Sequence, residues 1–216
     1  MLTLFSAVLV AALIAHEFTA GGSAAAWLET WGLVPLWFWE AVSTDPVDWT
    51  DPALTGIVTA LFVHVEWLHL AGNLAYFWVF GIMVERALGP WRFALCFLLL
   101  GGLANACLAW QMAGSDTPVI GASGGVSAIV GLYLGLFPGR RMGLWLPLGL
   151  YIQFARVPGL VVIGSWFALQ MIYTVFGVGV EAVAWAAHLA GFVGGLTIAL
   201  LLRVFSVNID TAFLQD

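Results

Sequence analysis

Residues 121–136 read GASGGVSAIVGLYLGL, and residues 185–203 read WAAHLAGFVGGLTIALLLR. Each carries a small residue at every fourth position: Ser123, Ser127, Gly131 and Gly135 in the first, Ala187, Gly191 and Gly195 in the second. On a helix such a stripe forms a smooth seam along which two backbones pack closely in lipid. Both stretches are apolar over a helix length, and both lead into arginine, at Arg140 and Arg203. The pair predicts two parallel membrane-crossing helices in contact, with Ser123 near His188. The bland alternative is generic membrane packing, with the serine bonded only to its own backbone.

Outward from these stretches the chain stays apolar. Of its 216 residues 62% are hydrophobic and 8% charged, with mean hydropathy +1.03. A soluble domain carries about 25% charged residues, so water cannot be the solvent of most of this surface. Fifteen Phe and twelve Trp exclude a disordered chain. A net charge of −6 without a lysine gives nucleic acid no electrostatic footing. Cys96 and Cys107 sit in apolar runs and read as fillers.

A membrane span needs roughly 20 apolar residues. Six stretches qualify, at about 2–18, 67–88, 91–112, 122–138, 158–176 and 183–203. The first lacks a basic flank and a cleavage site, so a retained span is expected over a signal peptide. Residues 144–157, with Pro147 inside and Pro158 following, read as an interfacial or re-entrant connector. The expected fold is all-α: a polytopic six-helix membrane bundle, residues 1–216 forming one domain.

Six alternating spans put Arg86, Arg92, Arg140, Arg141, Arg156 and Arg203, all the basic residues present, on one side. By the positive-inside rule that side, with the C-terminus, is cytoplasmic. The other side carries Glu29, Glu40, Asp45, Asp48, Asp51, Glu66, Asp116 and Glu181. Its long connector, about 19–63, holds six aromatic residues between Trp27 and Trp49 and reads as lying among lipid headgroups, as an anchor or as a shield over a site.

Polar side chains within spans are costly and mark function by default. His69, Ser123 and His188 stand 17, 17 and 15 residues before the arginine that closes their spans. At 1.5 Å per residue all three lie about 22–25 Å above the inner boundary, just below the outer surface. Asn73 is one turn deeper than His69 on the same face. The glycines around Ser123 (Gly121, Gly124, Gly125) expose the first N–H groups of its helix, suited to an oxyanion. A serine becomes a nucleophile through a base, and His188 is the candidate. No carboxylate shares that depth, so a Ser-His dyad is expected.

These motifs, FVHVEWLHLAGN at 62–73, YFWVFGIMVERALG at 76–89, GASG at 121–124 and AHLAGFVGG at 187–195, resemble the rhomboid family of intramembrane serine proteases. The resemblance covers about residues 55–203. It implies peptide-bond cleavage in or near transmembrane segments of membrane-protein substrates. It implies Ser123 as nucleophile and His188 as base, and His69, Asn73 and the Ser123 N–H as oxyanion donors. His64 is then structural, the outer connector is partly membrane-embedded, and span five with the 177–183 connector gates access. No metal or cofactor is implied.

There are two departures. Thr55-Gly56 stands where relatives often carry a Trp-Arg pair, and Ser127 stands where some carry a tyrosine that stacks on the catalytic histidine. An alternative is an inactive relative that binds transmembrane helices for quality control or trafficking; a small transporter or channel is a third reading. Glu85-Arg86 is expected to anchor the inner interface, Asn105 to bond between helices, Gln170 to do so or to serve the gate, and His16-Glu17 to cap span one. The lack of targeting extensions points to a bacterial inner membrane. Substrate and oligomeric state are not legible.

Overall fold

Proline and glycine set the helix boundaries. The computed structural model describes residues 1–148, 151–176 and 185–205, apart from the side chains of 19–24, 145–148 and 169–176. Pro35, Pro52 and Pro90 each open a helix, where a missing N–H is tolerated. Gly89, at φ +80, turns one long helix into the next. The order is α1 (Leu2–Trp31), α2 (Pro35–Val42), α3 (Pro52–Thr59), a 3-10 turn (Ala60–Phe62), α4 (Trp67–Leu88) and α5 (Pro90–Gln111). Then come α6 (Ser123–Leu136), β1 (Arg141–Leu148), β2 (Tyr151–Pro158), α7 (Gly159–Phe176) and α8 (Trp185–Val204).

The fold is mostly helical. Among the described residues α4, α5 and α8 are long and apolar enough to cross a membrane, while Leu2–Phe18, Ser123–Leu136 and Gly159–Ala168 are shorter apolar stretches. Two expectations need correction. The first helix runs to Trp31 rather than ending near residue 18, because no proline interrupts 2–31 and Ala24–Ala26 favour helix. His16 is accordingly no end cap: it is buried within the helix, its ring 6.2 Å from that of Trp27. Around the 144–157 segment, residues 141–148 and 151–158 pair as two antiparallel strands, Arg141 with Pro158 through to Leu148 with Tyr151, so the fold is not purely α. Pro147 and Pro158 forbid a helix there, and paired strands satisfy the backbone instead.

Helix α6 is the central element. It is buried on nearly every side and touches α4, α5, α7 and above all α8. The α6–α8 seam is set by glycine. A Cβ on Gly191 would lie 2.2 Å from the Gly124 carbonyl oxygen, one on Gly195 2.0 Å from that of Ala128, and one on Gly131 2.1 Å from that of Phe192. The small-residue stripes therefore mark a real contact, and the two backbones touch.

Three bonds align the ends. Leu2 N–H donates to Glu85 Oε2 (3.1 Å), Gly159 N–H to the Arg140 carbonyl (3.0 Å), and Arg203 Nη1 to the Gly135 carbonyl (3.0 Å). Helices α6 and α8 thus run parallel, α1 runs against α4, and the six arginines gather at one end. The Glu85 carboxylate ties the start of α1 to the end of α4.

Candidate active site

The loop before α6 carries the chain down from the end of the bundle opposite the arginines. Leu33 and Val119 exchange both backbone bonds (2.9 and 2.8 Å), and Gly121 N–H donates to the Ala60 carbonyl (2.9 Å). The connector between α1 and α4 therefore clamps residues 119–121. At the foot of this loop α6 starts against the middle of α5: a Cβ on Gly124 would meet Ala104 Cβ at 2.9 Å, and one on Gly125 the Phe97 ring at 2.7 Å. Ala104 precedes the end of α5 at Gln111 by seven residues, which places Ser123 about 10 Å below that end.

Gly121 shapes the turn. Its φ of +113 is a conformation that L side chains rarely adopt. The space a side chain would fill is taken by His69, whose Cε1 lies 2.9 Å from the Cβ position, with Asn73 Nδ2 at 4.0 Å. His69 and Asn73 of α4 therefore converge on the residue two before Ser123.

His64 fastens this cluster. Its Nε2 accepts from Asn73 Nδ2 at 2.9 Å and from Ala122 N–H at 3.4 Å. It is 1% exposed, and its ring centroid lies 5.0 Å from that of His69. Burial, and then the charge of a protonated His69, push it down to about 3. A neutral ring with Nε2 unprotonated matches the two donors it receives. It holds the backbone just before Ser123.

From the other side comes His188. Ala187 lies 3.9 Å from the Cβ position of Gly124, and the close approach of Gly191 to the Gly124 carbonyl is one turn along. The residues flanking His188 and Ser123 are thus packed on each other. Ser123 is half-buried and His188 is 3% exposed. Both His188 ring nitrogens lack a hydrogen-bond partner among the described residues. Ser127 turns back on its own helix, its Oγ donating to the Ser123 carbonyl at 2.6 Å.

So Gly121, Ser123, Gly124, His64, His69, Asn73, His188 and Gly191 form one neighbourhood. Gly195, two turns down the seam from His188, belongs to its packing, and Ser127 to the helix interior. The Gln170 side chain and the 177–183 connector lie outside the described residues. Asn105 Nδ2 donates to the Ile57 carbonyl of α3 (2.9 Å), bonding a long helix to the connector.

Sequence reasoning missed two features. One is the Leu33–Val119 clamp, which no local pattern announces. The other is Trp166 of α7, whose ring lies 5.6 Å from that of His188. At Thr55-Gly56, a Cβ on Gly56 would sit 2.7 Å from the Gly32 carbonyl oxygen, so glycine lets α3 press against the 32–33 backbone. Thr59 adds a bond from its Oγ1 to the Trp31 carbonyl at 2.8 Å.

The rhomboid domain family matches residues 51–205, from the start of α3 to the end of α8. The chain belongs to the rhomboid family and is an integral, multi-pass membrane protein. It is 30% identical over 164 residues to Rhomboid-like protein 11, chloroplastic, of Arabidopsis thaliana, covering 74% of this chain and 56% of that protein. It is 29% identical over 148 residues to Rhomboid protease GluP of Bacillus subtilis, covering 68% and 25%. The chain thus spans about half the length of one relative and a quarter of the other. Relatives from a chloroplast and from a bacterium do not support assigning the chain to a bacterial inner membrane.

Proposed function

We propose that this protein is an intramembrane serine endopeptidase acting on transmembrane segments of membrane proteins near the outer side of the bilayer. Ser123 is the nucleophile and His188 its base. His69, Asn73 and the Ser123 N–H hold the oxyanion. The observation that carries the reading is the α6–α8 crossing, where Gly191 touches the Gly124 carbonyl and leaves the Ser123 and His188 turns side by side. The similarity to a protein named a rhomboid protease supports it.

The chemistry follows from the groups. Ser123 Oγ attacks the scissile carbonyl carbon while His188 accepts its proton. The charge that develops on the carbonyl oxygen meets N–H donors already in place, and this is where such sites gain most. His188 then protonates the departing amine, and water releases the acyl group by the reverse steps. A substrate helix has its backbone bonds satisfied, so it must open locally; Gly, Pro or polar residues near the outer end of its span favour that. We further propose six spans, with the arginine end and the C-terminus on the cytoplasmic side. The 1–216 chain acts as a single domain in this reading.

The test is cleavage of a transmembrane substrate in liposomes by the wild type and by Ser123→Ala. Cleavage should vanish in the variant while its helical circular dichroism is kept. Undiminished cleavage would remove Ser123 as nucleophile. A fluorophosphonate should label the wild-type serine and require His188. A wild type that neither cleaves nor labels would instead favour an inactive helix-binding relative.

A further inference from the structure

A dyad has no third group to hold its histidine, and an imidazole that rotates freely presents the wrong atom most of the time. The usual devices are absent around His188 among the described residues. No hydrogen bond reaches either ring nitrogen. Ser127, one turn along α6 from Ser123, is short and its hydroxyl is committed to the Ser123 carbonyl.

We propose that Trp166 of α7 is the positioning residue for His188, its indole supplying by ring contact the orientation that no hydrogen bond gives. This rests on the serine-protease reading above. The two rings lie 5.6 Å apart at 50°. Trp166 is 5% exposed and is itself confined, by Tyr76 of α4 at 5.9 Å and by Phe167 at 4.9 Å. A fixed indole limits the imidazole to few rotamers. Its electron-rich face also attracts an imidazolium more than a neutral ring. The contact therefore strengthens as His188 takes the serine proton, so it acts on the transition state more than on substrate binding.

Two substitutions of reduced size separate ring contact from packing. Trp166→Leu keeps an apolar side chain but no ring; Trp166→Phe keeps a ring. In liposomes, Trp166→Leu should lower kcat about tenfold with KM within about twofold, while Trp166→Phe stays within about threefold of wild type. Fluorophosphonate labelling of Ser123, which needs His188 but no helical substrate, should slow in Trp166→Leu by the same factor. Leu160→Ala, exposed on the same helix, should leave both rates unchanged. Equal rates for the Leu and Phe variants, or a change confined to KM, would overturn the positioning role. A label rate unmoved by Trp166→Leu would overturn it alone; a wild-type Ser123 that takes no label would overturn the protease reading and this role together.

Discussion

The amide nitrogen of Asn73 carries two hydrogens, and His64 accepts one of them. The other is left for the space beside Gly121, where an oxyanion would form. Asn73→Ala should therefore lower kcat about a hundredfold with KM little changed, the usual loss for one oxyanion donor. A raised KM with unchanged kcat would deny that role. His64→Ala removes the acceptor for both Asn73 and Ala122 N–H. It should cost about 1–3 kcal/mol, read as a lower midpoint in thermal unfolding in detergent micelles. At this scale the sequence was informative about types and spacing: Ser123, His188, His69 and Asn73 stand out because polar groups are rare in apolar spans. Trp166 was not legible, since one tryptophan in an apolar helix looks like any other until a histidine is found against it.

The α6–α8 seam governs whether the two halves of the site meet. Its contacts are backbone to backbone, so even a methyl group has nowhere to go: a Cβ on Gly195 would fall 2.0 Å from the Ala128 carbonyl oxygen. Gly195→Val should separate the helices, lower the midpoint of unfolding in detergent by the equivalent of about 1–3 kcal/mol or more, and abolish labelling of Ser123 although it touches neither reacting group. Normal labelling in a folded Gly195→Val protein would show that the seam does not position the site. The four-residue spacing of small side chains made this contact visible in advance. The pairing of β1 with β2 was not visible. The apolar run there excludes a helix through proline, but the pairing of Arg141 with Pro158 depends on where β2 lies.

Among the described residues, the arginines and most of the acidic residues lie at opposite ends, with Glu85 at the arginine end. Arg86, Arg92, Arg140, Arg141, Arg156 and Arg203 share the end where α4, α6 and α8 finish, while Glu29, Glu40, Asp45, Asp48, Asp51, Glu66 and Asp116 occupy the other. In a background lacking Cys96 and Cys107, Asp116→Cys should react with an impermeant maleimide from the outer face of oriented vesicles. Arg141→Cys should react only after the inner face is opened. Labelling of both from one face would refute the proposed orientation. The site's depth is also a property of the whole: α6 starts about 10 Å below the end of α5 because the loop before it is held by Leu33 and Ala60.

Taken alone, the sequence determined the solvent, the helices and the chemical groups. Hydropathy, proline, glycine and the placement of arginine act locally along a chain, and each leaves a pattern a few residues wide. The tertiary structure alone decided what depends on distant segments meeting: the strand pairing, the clamp of Leu33 on Val119 and the indole against His188. The last two contacts join residues 86 and 22 apart, and at such separations no periodicity survives to announce them.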